Sequence, residues 1–279
     1  MKVFGLIFCL VLASGSQASF GQLGGTNPLV RFHTDLGDMD VILRRDVAPN
    51  NVANFLAYVT QALYDNSVIH RSPPNFVIQG GGFNYSSGQF HGIPQGSPVV
   101  NEFHLSNTRG TLAMAKVAGD PNSATNQWFF NESNANAGPP ASLDTQNGGF
   151  TVFGRIINSA GLTTMDTIAA VPIYNAGSPF DQLPLMNYTP PNKFTNQNLV
   201  NVIWIKVIPQ VVAVTRTNAT TVRVQGRGQA STTYRLDMSS MPAANTFTSS
   251  VNVMTAADGT FTYDDPSAGA KKYYRLAIP

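Results

Sequence analysis

The chain has 279 residues, a formal net charge of +2 from 17 Lys and Arg against 15 Asp and Glu, and 43% hydrophobic residues. The hydrophobic content excludes wholesale disorder, and the small net charge without basic runs argues against a nucleic-acid-binding protein. With a single cysteine, the chain has neither a disulfide framework nor a cysteine-based zinc site.

The first residues have the features of a secretory signal peptide. Lys2 supplies a positive charge, an apolar run covers residues 3–13, and Ser16 and Ala18 are small residues of the kind that precede a cleavage site. The apolar run is too short to span a bilayer, and it contains the single cysteine. We therefore expect residues 1–18 to be removed and the protein to be periplasmic or secreted, with no membrane span.

The next region predicts a β-hairpin followed by a helix. Apolar and polar residues alternate over residues 30–34 and again over 39–43, and Leu36-Gly37-Asp38 between them is typical of a turn. Pro49 suits the first turn of a helix, and apolar residues recur after it at i, i+3, i+4 and i+7. We expect this apolar stripe to pack on a sheet.

More short strands and one more helix are predicted up to residue 208. Apolar runs predict strands over residues 68–71, 76–79, 111–116, 128–131, 151–157 and 202–208. A second short helix is predicted over Leu162 to Ala170, where apolar residues share one face. Many short strands with two helices favour a closed barrel or a sandwich with helical caps.

The composition changes after Pro209. The residues that follow are rich in Thr, Ser and Val, and pairs of apolar residues alternate with polar ones. The pairs are Val222 and Val224, Tyr234 and Leu236, Val251 and Val253, Phe261 and Tyr263, and Tyr274 and Leu276. This pattern is typical of a small antiparallel β-sandwich. We therefore predict one domain over residues 28–209 and a β-sandwich module over residues 211–279.

The sequence lacks several common catalytic motifs. It has no G-x-S-x-G for a serine hydrolase, and Q-G-G-G at residues 79–82 is not followed by the Gly-Lys-Ser/Thr of a phosphate loop. The four histidines, at positions 33, 70, 91 and 104, do not have metal-ligand spacing. We therefore expect neither a metal nor a cofactor.

Three segments carry a more distinctive pattern. They are V-I-H-R-S-P-P-N-F-V-I-Q-G-G-G-F at 68–83, then G-T-L-A-M-A at 110–115 with N-S-A-T-N-Q-W-F-F at 122–130, and then L-D at 143–144 with F-T-V-F-G-R-I at 150–156. In this order they resemble segments of the cyclophilin family of peptidyl-prolyl cis-trans isomerases, whose signature includes F-H-R-x-x-P-x-F-x-x-Q-G-G-x-F. The resemblance extends over about residues 29–209. It implies a mostly β fold, a closed antiparallel eight-stranded barrel capped by two helices.

The resemblance also implies roles for individual residues. Arg71 corresponds to the catalytic arginine, and Gln79 corresponds to the glutamine that orients the arginine and the peptide. The residues that correspond to the proline pocket are Phe76, Val77, Phe129 and Leu143, and those that correspond to other contacts in the substrate groove are Ala115, Lys116, Gln127 and Phe150. Lys116 stands where the family commonly has Asn, and Phe150 stands where it has His or Tyr. The substrates implied are proline-containing polypeptides.

The chemistry of bond rotation suits these residue types. Rotation about a peptide bond costs about 18–20 kcal/mol because resonance is broken, and X-Pro bonds are the ones with a substantial cis population. A catalyst of this rotation needs no acid, base or nucleophile. It needs an apolar pocket for the proline ring and a donor for the nitrogen of the twisted bond. Arginine suits that second role because it is always charged and presents donors in a fixed geometry.

A second hypothesis is a non-catalytic protein that binds Pro-containing segments or a surface ligand. It rests on the unusual Ser72-Pro73-Pro74-Asn75 loop and on the C-terminal module, which resembles sandwiches of the fibronectin type III kind. We expect isomerisation of X-Pro bonds in exported proteins, assisting their folding, as the main function. We also expect a monomer.

Overall fold

The structure is a computed structural model that describes residues 27–241, 243, 246–266 and 272–277. The predicted signal peptide at residues 1–18 lies outside the described residues. The chain divides into two compact units, one of Val30–Lys206 and one of the described residues within Met1–Leu29 and Val207–Pro279. None of the helices in the described ranges is long and apolar enough to cross a membrane.

The Val30–Lys206 unit is mostly β, and its first and last strands extend slightly beyond it. The strands are β1 (Leu29–Thr34), β2 (Gly37–Leu43), β3 (Ser67–Val68), β4 (Val77–Gly80), β5 (Phe83–Ser86), β6 (Gln89–Gly92), β7 (Thr111–Met114), β8 (Trp128–Asn131), β9 (Val152–Ile156), β10 (Ile173–Tyr174), β11 (Leu183–Pro184) and β12 (Asn201–Ile208). The α-helices are α1 (Pro49–Thr60) and α2 (Ser159–Ala169). Short 3-10 helices cover Asn134–Ala137, Gln146–Gly148 and Asn196–Asn198.

Both helices form close to where the sequence predicts them. Pro49 occupies the first turn of α1, where a missing N–H breaks no helical hydrogen bond. Three of the four residues of the apolar stripe, Val52, Phe55 and Val59, are buried. Helix α2 begins at Ser159, before the predicted Leu162. The reason is a cap, since the Asn158 side chain accepts a hydrogen bond from the Gly161 N–H at 2.7 Å.

Ten of these strands form one sheet. Its order is β4-β8-β7-β9-β2-β1-β12-β3-β5-β6, so its end strands β4 and β6 are not neighbours among the described residues. A single backbone bridge between Arg71 and Gln79 joins the segment after β3 to β4. That segment does not extend into a longer strand, because Pro73 and Pro74 have no N–H for a ladder. The prediction of a mostly β fold with two helices is confirmed, and that of a closed eight-stranded barrel is wrong.

Alternation along β8 separates the hydrophobic core from the opposite face of the sheet. Trp128 and Phe130 pack in the core against Phe32, with ring centroids 5.0 and 5.1 Å from its centroid. Phe129, between them in sequence, belongs to a different apolar cluster. Because successive side chains of a strand point to opposite faces, this register aims Phe129 away from the core.

The β5–β6 hairpin is not among the predicted elements. Phe83 and Tyr85 alternate with polar residues, but the strands are short and these two side chains pack on residues distant in sequence. The Phe83 ring lies 4.9 Å from that of Phe180, and the Tyr85 ring lies 5.7 Å from that of Phe194. The hairpin therefore depends on aromatic contacts with a segment about a hundred residues away, which local periodicity does not reveal.

The second unit contains two three-stranded sheets in its described residues. Its strands are β13 (Gln210–Arg216), β14 (Val222–Arg227), β15 (Thr233–Ser239), β16 (Ser249–Met254), β17 (Thr260–Asp265) and β18 (Tyr273–Ala277). The sheet orders are β13-β14-β17 and β16-β15-β18. Buried residues from both sheets, such as Val224 and Leu236, form one apolar cluster. Each predicted apolar pair lies on a strand, and β13 is a strand that the sequence pattern does not predict.

Candidate active site

Arg71 and Gln79 lie opposite each other where the segment after β3 meets β4. The Gln79 N–H donates to the Arg71 carbonyl at 2.8 Å, and the His70 N–H donates to the Gln79 carbonyl at 3.1 Å. The Arg71 guanidinium lies over the Phe76 ring, 5.6 Å from its centroid. Burial lowers the pKa of Arg71, and the Asp181 carboxylate raises it, but an arginine stays charged in proteins. Arg71 is therefore a partly buried cation whose backbone is fixed by the bridge to Gln79.

An apolar cluster lies beside this cation. Its buried members are Val77, Ala113, Phe129, Leu143 and Val152, and its partly buried members are Phe76, Leu105, Ala115, Ala141 and Phe150. The rings of Phe129 and Phe150 meet edge to face, with centroids 5.8 Å apart and planes at 72°. Because Phe76 belongs to this cluster and also contacts Arg71, the cation lies at its margin.

A chain of contacts leads from Gln79 through Gln127 to Ala115, a member of the apolar cluster. The Gln79 side-chain N–H donates to Oε1 of Gln127 at 2.8 Å. Burial lowers the pKa of His70 to about 4, against a hydrogen bond with Gln127 that raises it. The Gln127 backbone carbonyl accepts a hydrogen bond from the Ala115 N–H at 3.0 Å. These contacts hold Gln79 from its side chain while the bridge to Arg71 holds it from its backbone.

The structure brings all ten predicted site residues together. Eight of them are joined by the contacts above, and Leu143 is buried in the cluster. Lys116 follows Ala115 and places its ammonium 4.8 Å from the centroid of the Phe150 ring. Leu143 and Phe150 are the two ends of one segment, residues 143–150. The Phe150 N–H donates to the Leu143 carbonyl at 2.8 Å. The functional roles of these ten residues stay predictions.

A network of buried asparagines supports the cluster, and sequence reasoning missed it. Asn131 donates to Oδ1 of Asn107 at 3.2 Å, and Asn136 donates to Oδ1 of Asn131 at 2.8 Å. Asn107 in turn donates to the Phe150 carbonyl at 3.0 Å, and Asn136 donates to the Phe76 carbonyl at 2.6 Å. The network therefore positions the backbone of two predicted site residues. The one signal in the sequence is the large number of asparagines, 25, which does not identify the buried ones.

Within the described residues, no group of three or more His, Cys, Asp and Glu side chains could hold a metal ion. The Arg71 guanidinium is a partly buried charge of this site, and it lies over the apolar ring of Phe76. Such a site can bind an apolar ring and donate hydrogen bonds to an adjacent polar atom.

The chain is similar to a family of known proteins over this region. The family profile described as "Cyclophilin type peptidyl-prolyl cis-trans isomerase/CLD" matches residues 29–189. A peptidyl-prolyl cis-trans isomerase of Acinetobacter baylyi is 38% identical over 153 residues, which cover 54% of this chain and 77% of that protein. Peptidyl-prolyl cis-trans isomerase B of Escherichia coli is 36% identical over 151 residues, which cover 53% of this chain and 88% of that protein.

A solved structure also matches. The cyclophilin type peptidyl-prolyl cis-trans isomerase of Cryptosporidium parvum is 24% identical, with a TM-score of 0.47 over 65% of this chain and 97% of that chain.

Proposed function

Because the chain belongs to the cyclophilin-type peptidyl-prolyl cis-trans isomerase family, we propose that Arg71 is the group with which it catalyses rotation of X-Pro peptide bonds. The peptidyl-prolyl isomerase activity itself follows from the family and from the names of its relatives. The observation that carries the role of Arg71 is its position, with its guanidinium over Phe76 at the margin of the apolar cluster.

The proposed mechanism uses two features of the site. The proline ring binds on the partly exposed side chains of the apolar cluster, Phe76 and Phe150 among them, above the buried Phe129 and Leu143. As the bond twists, resonance is lost and the proline nitrogen becomes a hydrogen-bond acceptor, which the Arg71 guanidinium stabilises. The bridge to Gln79 fixes the Arg71 backbone and the Phe76 ring supports the guanidinium, so the donor is in place before the bond rotates.

The first test is the rate of cis-trans exchange in X-Pro peptides, measured by NMR or by a protease-coupled assay. We expect Arg71→Ala to lower kcat/KM by about 10²–10³-fold, as for other preorganised donors removed from active sites. Arg71→Lys should give an intermediate rate, because an ammonium keeps the charge but not the fixed fork of donors.

Arg155→Ala is the matched control, since Arg155 lies exposed on β9 and is not a predicted site residue. An Arg71→Ala protein as active as the wild type would contradict the mechanism. Peptide binding without any acceleration by the wild type would favour the second hypothesis, a non-catalytic binding protein, which the family and its relatives do not favour.

We also propose that the substrates are proline-containing segments of exported proteins, whose folding the enzyme assists in the periplasm or outside the cell. Support comes from the sequence of residues 1–18, which has the order of charge, apolar run and small residues of a signal peptide. The N-terminal sequence of the exported chain tests this proposal.

A further inference from the structure

The Lys116 side chain connects two walls of the proposed substrate groove. Its backbone continues from Ala115, on the edge predicted to hold the substrate. Its ammonium donates to the carbonyl of Asn147 at 2.8 Å and to the carbonyl of Gly149 at 2.6 Å. These carbonyls belong to the segment 143–150, which carries two predicted groove side chains at its ends.

The connection runs in both directions. The Asn147 side chain donates to the Val117 carbonyl at 2.9 Å, so the two segments share three hydrogen bonds. The Lys116 ammonium also lies 4.8 Å from the centroid of Phe150, whose ring meets Phe129 edge to face. One cation thus contacts both the turn of the 143–150 segment and the aromatic ring at its end.

The 143–150 segment needs donors from outside itself. It contains the short 3-10 helix Gln146–Gly148 and a residue of positive φ, Asn147 at 51°. Three successive carbonyls of this turn accept from side chains, those of Asn147 and Gly149 from Lys116 and that of Gly148 from Asn101 at 2.7 Å. Among the donors to these carbonyls Lys116 is the charged one, and charge-assisted hydrogen bonds are about twice as strong as neutral ones.

We propose that Lys116 is a positioning residue that sets the width of the substrate groove by holding the Phe150 segment against the substrate-binding edge. The inference rests on the proposed isomerase function of the groove and assigns its side chain a role beyond the backbone contact that the sequence predicts. Lys116 does not touch the reacting bond in this proposal. It acts through Phe150, and through Phe150 on Phe129.

The proposal predicts a dependence on pH at the alkaline end. Burial lowers the pKa of Lys116, and the Asp120 carboxylate raises it. The other acidic group of the segment is Asp144, which accepts from the Asn107 N–H at 2.7 Å. Loss of the Lys116 proton is the charge change that the proposal follows in the alkaline range. The neutral amine loses the charge assistance of both hydrogen bonds and its attraction to the Phe150 ring.

The experiment measures kcat and KM for X-Pro peptides from about pH 7 to about pH 10.5, the range in which an ordinary lysine begins to lose its proton. The variants are Lys116→Met and Lys116→Arg. Lys206→Met is the matched control, because Lys206 is exposed and its ammonium also lies over an aromatic ring, 5.3 Å from the centroid of Trp204.

We expect Lys116→Met to raise KM about tenfold at pH 7, with a smaller change in kcat, since it removes two charge-assisted hydrogen bonds to the groove wall. Lys116→Arg should keep most of the activity at pH 7 and should not show the alkaline loss of the wild type, because arginine does not lose its proton. Lys206→Met should follow the wild type throughout.

A wild-type KM and pH profile for Lys116→Met would overturn the proposal. If that variant does not fold, Lys116→Arg decides, since an alkaline loss like that of the wild type in this variant would also overturn it. The ring resonances of Phe150, followed by NMR without substrate, separate this proposal from the proposed function. If they move with pH in the wild type but not in Lys116→Arg, the positioning role stands even in a chain that lacks isomerase activity.

Discussion

His70 precedes Arg71 and is 3% exposed, so its imidazole is shielded from water. Burial lowers its pKa from 6.5 to about 4, against a hydrogen bond with Gln127 that raises it. The ring also meets Phe83 edge to face, with centroids 5.1 Å apart. A positive charge here would lie in an apolar setting next to the charge of Arg71. The fold therefore accommodates the neutral form of His70.

The lowered pKa of His70 predicts a loss of stability in acid. Between about pH 6.5 and about pH 4 the unfolded chain binds a proton at this histidine and the folded chain does not. Neutral His70 therefore makes its full contribution to the free energy of unfolding above about pH 6.5. As the pH falls to about 4 that contribution is lost, by up to about 3 kcal/mol. Urea unfolding followed by tryptophan fluorescence measures it, because both tryptophans lie in the Val30–Lys206 unit.

His70→Asn should lower the free energy of unfolding at all pH values. It should also make that free energy depend less steeply on pH between pH 6.5 and pH 4. His91→Asn is the control, because His91 is exposed, and it should keep the slope of the wild type. If the free energy of unfolding of His70→Asn depends on pH as steeply as that of the wild type, other groups cause the loss of stability in acid.

At the residue scale, some residues of the site can be predicted from sequence motifs, and others are revealed only by the structure. The ten predicted residues could be found because they stand at recognisable spacings in three segments, and the structure places them together. The Asn107–Asn131–Asn136 network could not be found in this way. Three of its hydrogen bonds join residues 24, 43 and 60 apart in sequence. An asparagine that pairs with a buried carbonyl also looks the same in sequence as a solvated one.

At the element scale, the join between β4 and β5 decides how closely the Gln79 strand approaches β8. Gly81 has φ +79°, and a Cβ there would lie 2.6 Å from the Trp128 indole nitrogen and 2.7 Å from the Asn126 carbonyl oxygen. Gly88, in the turn between β5 and β6, has φ +77°, and a Cβ there would have no atom of another segment within 4 Å. The two glycines therefore share a backbone conformation and differ in the space around them.

This pair separates backbone strain from packing. We expect Gly88→Ala to cost about 1 kcal/mol, from the positive φ alone. Gly81→Ala should cost about 2 kcal/mol more, because the contacts would have to open next to a buried tryptophan. The urea midpoint of the tryptophan transition checks both values. Gly81→Ala should also lower isomerase activity, since it displaces the strand that holds Gln79, and equal costs for the two variants would refute the packing argument.

Elements with a local signal were predicted, and elements that depend on distant partners were not. Helix α1 has a proline at its start and an apolar stripe, both of which are read within one segment. The β5–β6 hairpin and the short β10–β11 pair lack such a signal, because both contribute to one apolar cluster whose members come from distant parts of the chain. The predicted closure of the sheet was wrong because the two prolines after Arg71 end the ladder at a single bridge.

At the scale of the whole molecule, the described residues form two compact units, and each unit has its own sheets and apolar cluster. The compact units divide between Lys206 and Val207, whereas the composition changes after Pro209. Strand β12 spans this division, since it runs from Asn201 to Ile208. In the second unit the buried Asp237 carboxylate pairs with the guanidinium groups of Arg235 and Arg275, at 2.6 and 3.0 Å. The role of this unit stays a prediction.

Export, as proposed above, concerns the whole chain. When the full sequence is produced in a bacterial host with an export pathway, we expect an exported protein that begins after Ala18 and contains no cysteine. Leu10→Arg, which interrupts the apolar run, should leave the chain uncleaved inside the cell. Mass spectrometry of the cell fractions measures both outcomes. An exported chain that keeps its first residues, or an uncleaved wild type inside the cell, would refute the proposal.

The sequence by itself determined the isomerase family, the ten candidate site residues and most of the strands and helices, because each depends on residue types at short spacings. The tertiary structure decided the open ten-stranded order, the asparagine network and the contact of Lys116 with the Phe150 segment. These features depend on hydrogen bonds and ring contacts between residues brought together only by folding, and a pattern confined to one segment cannot specify them.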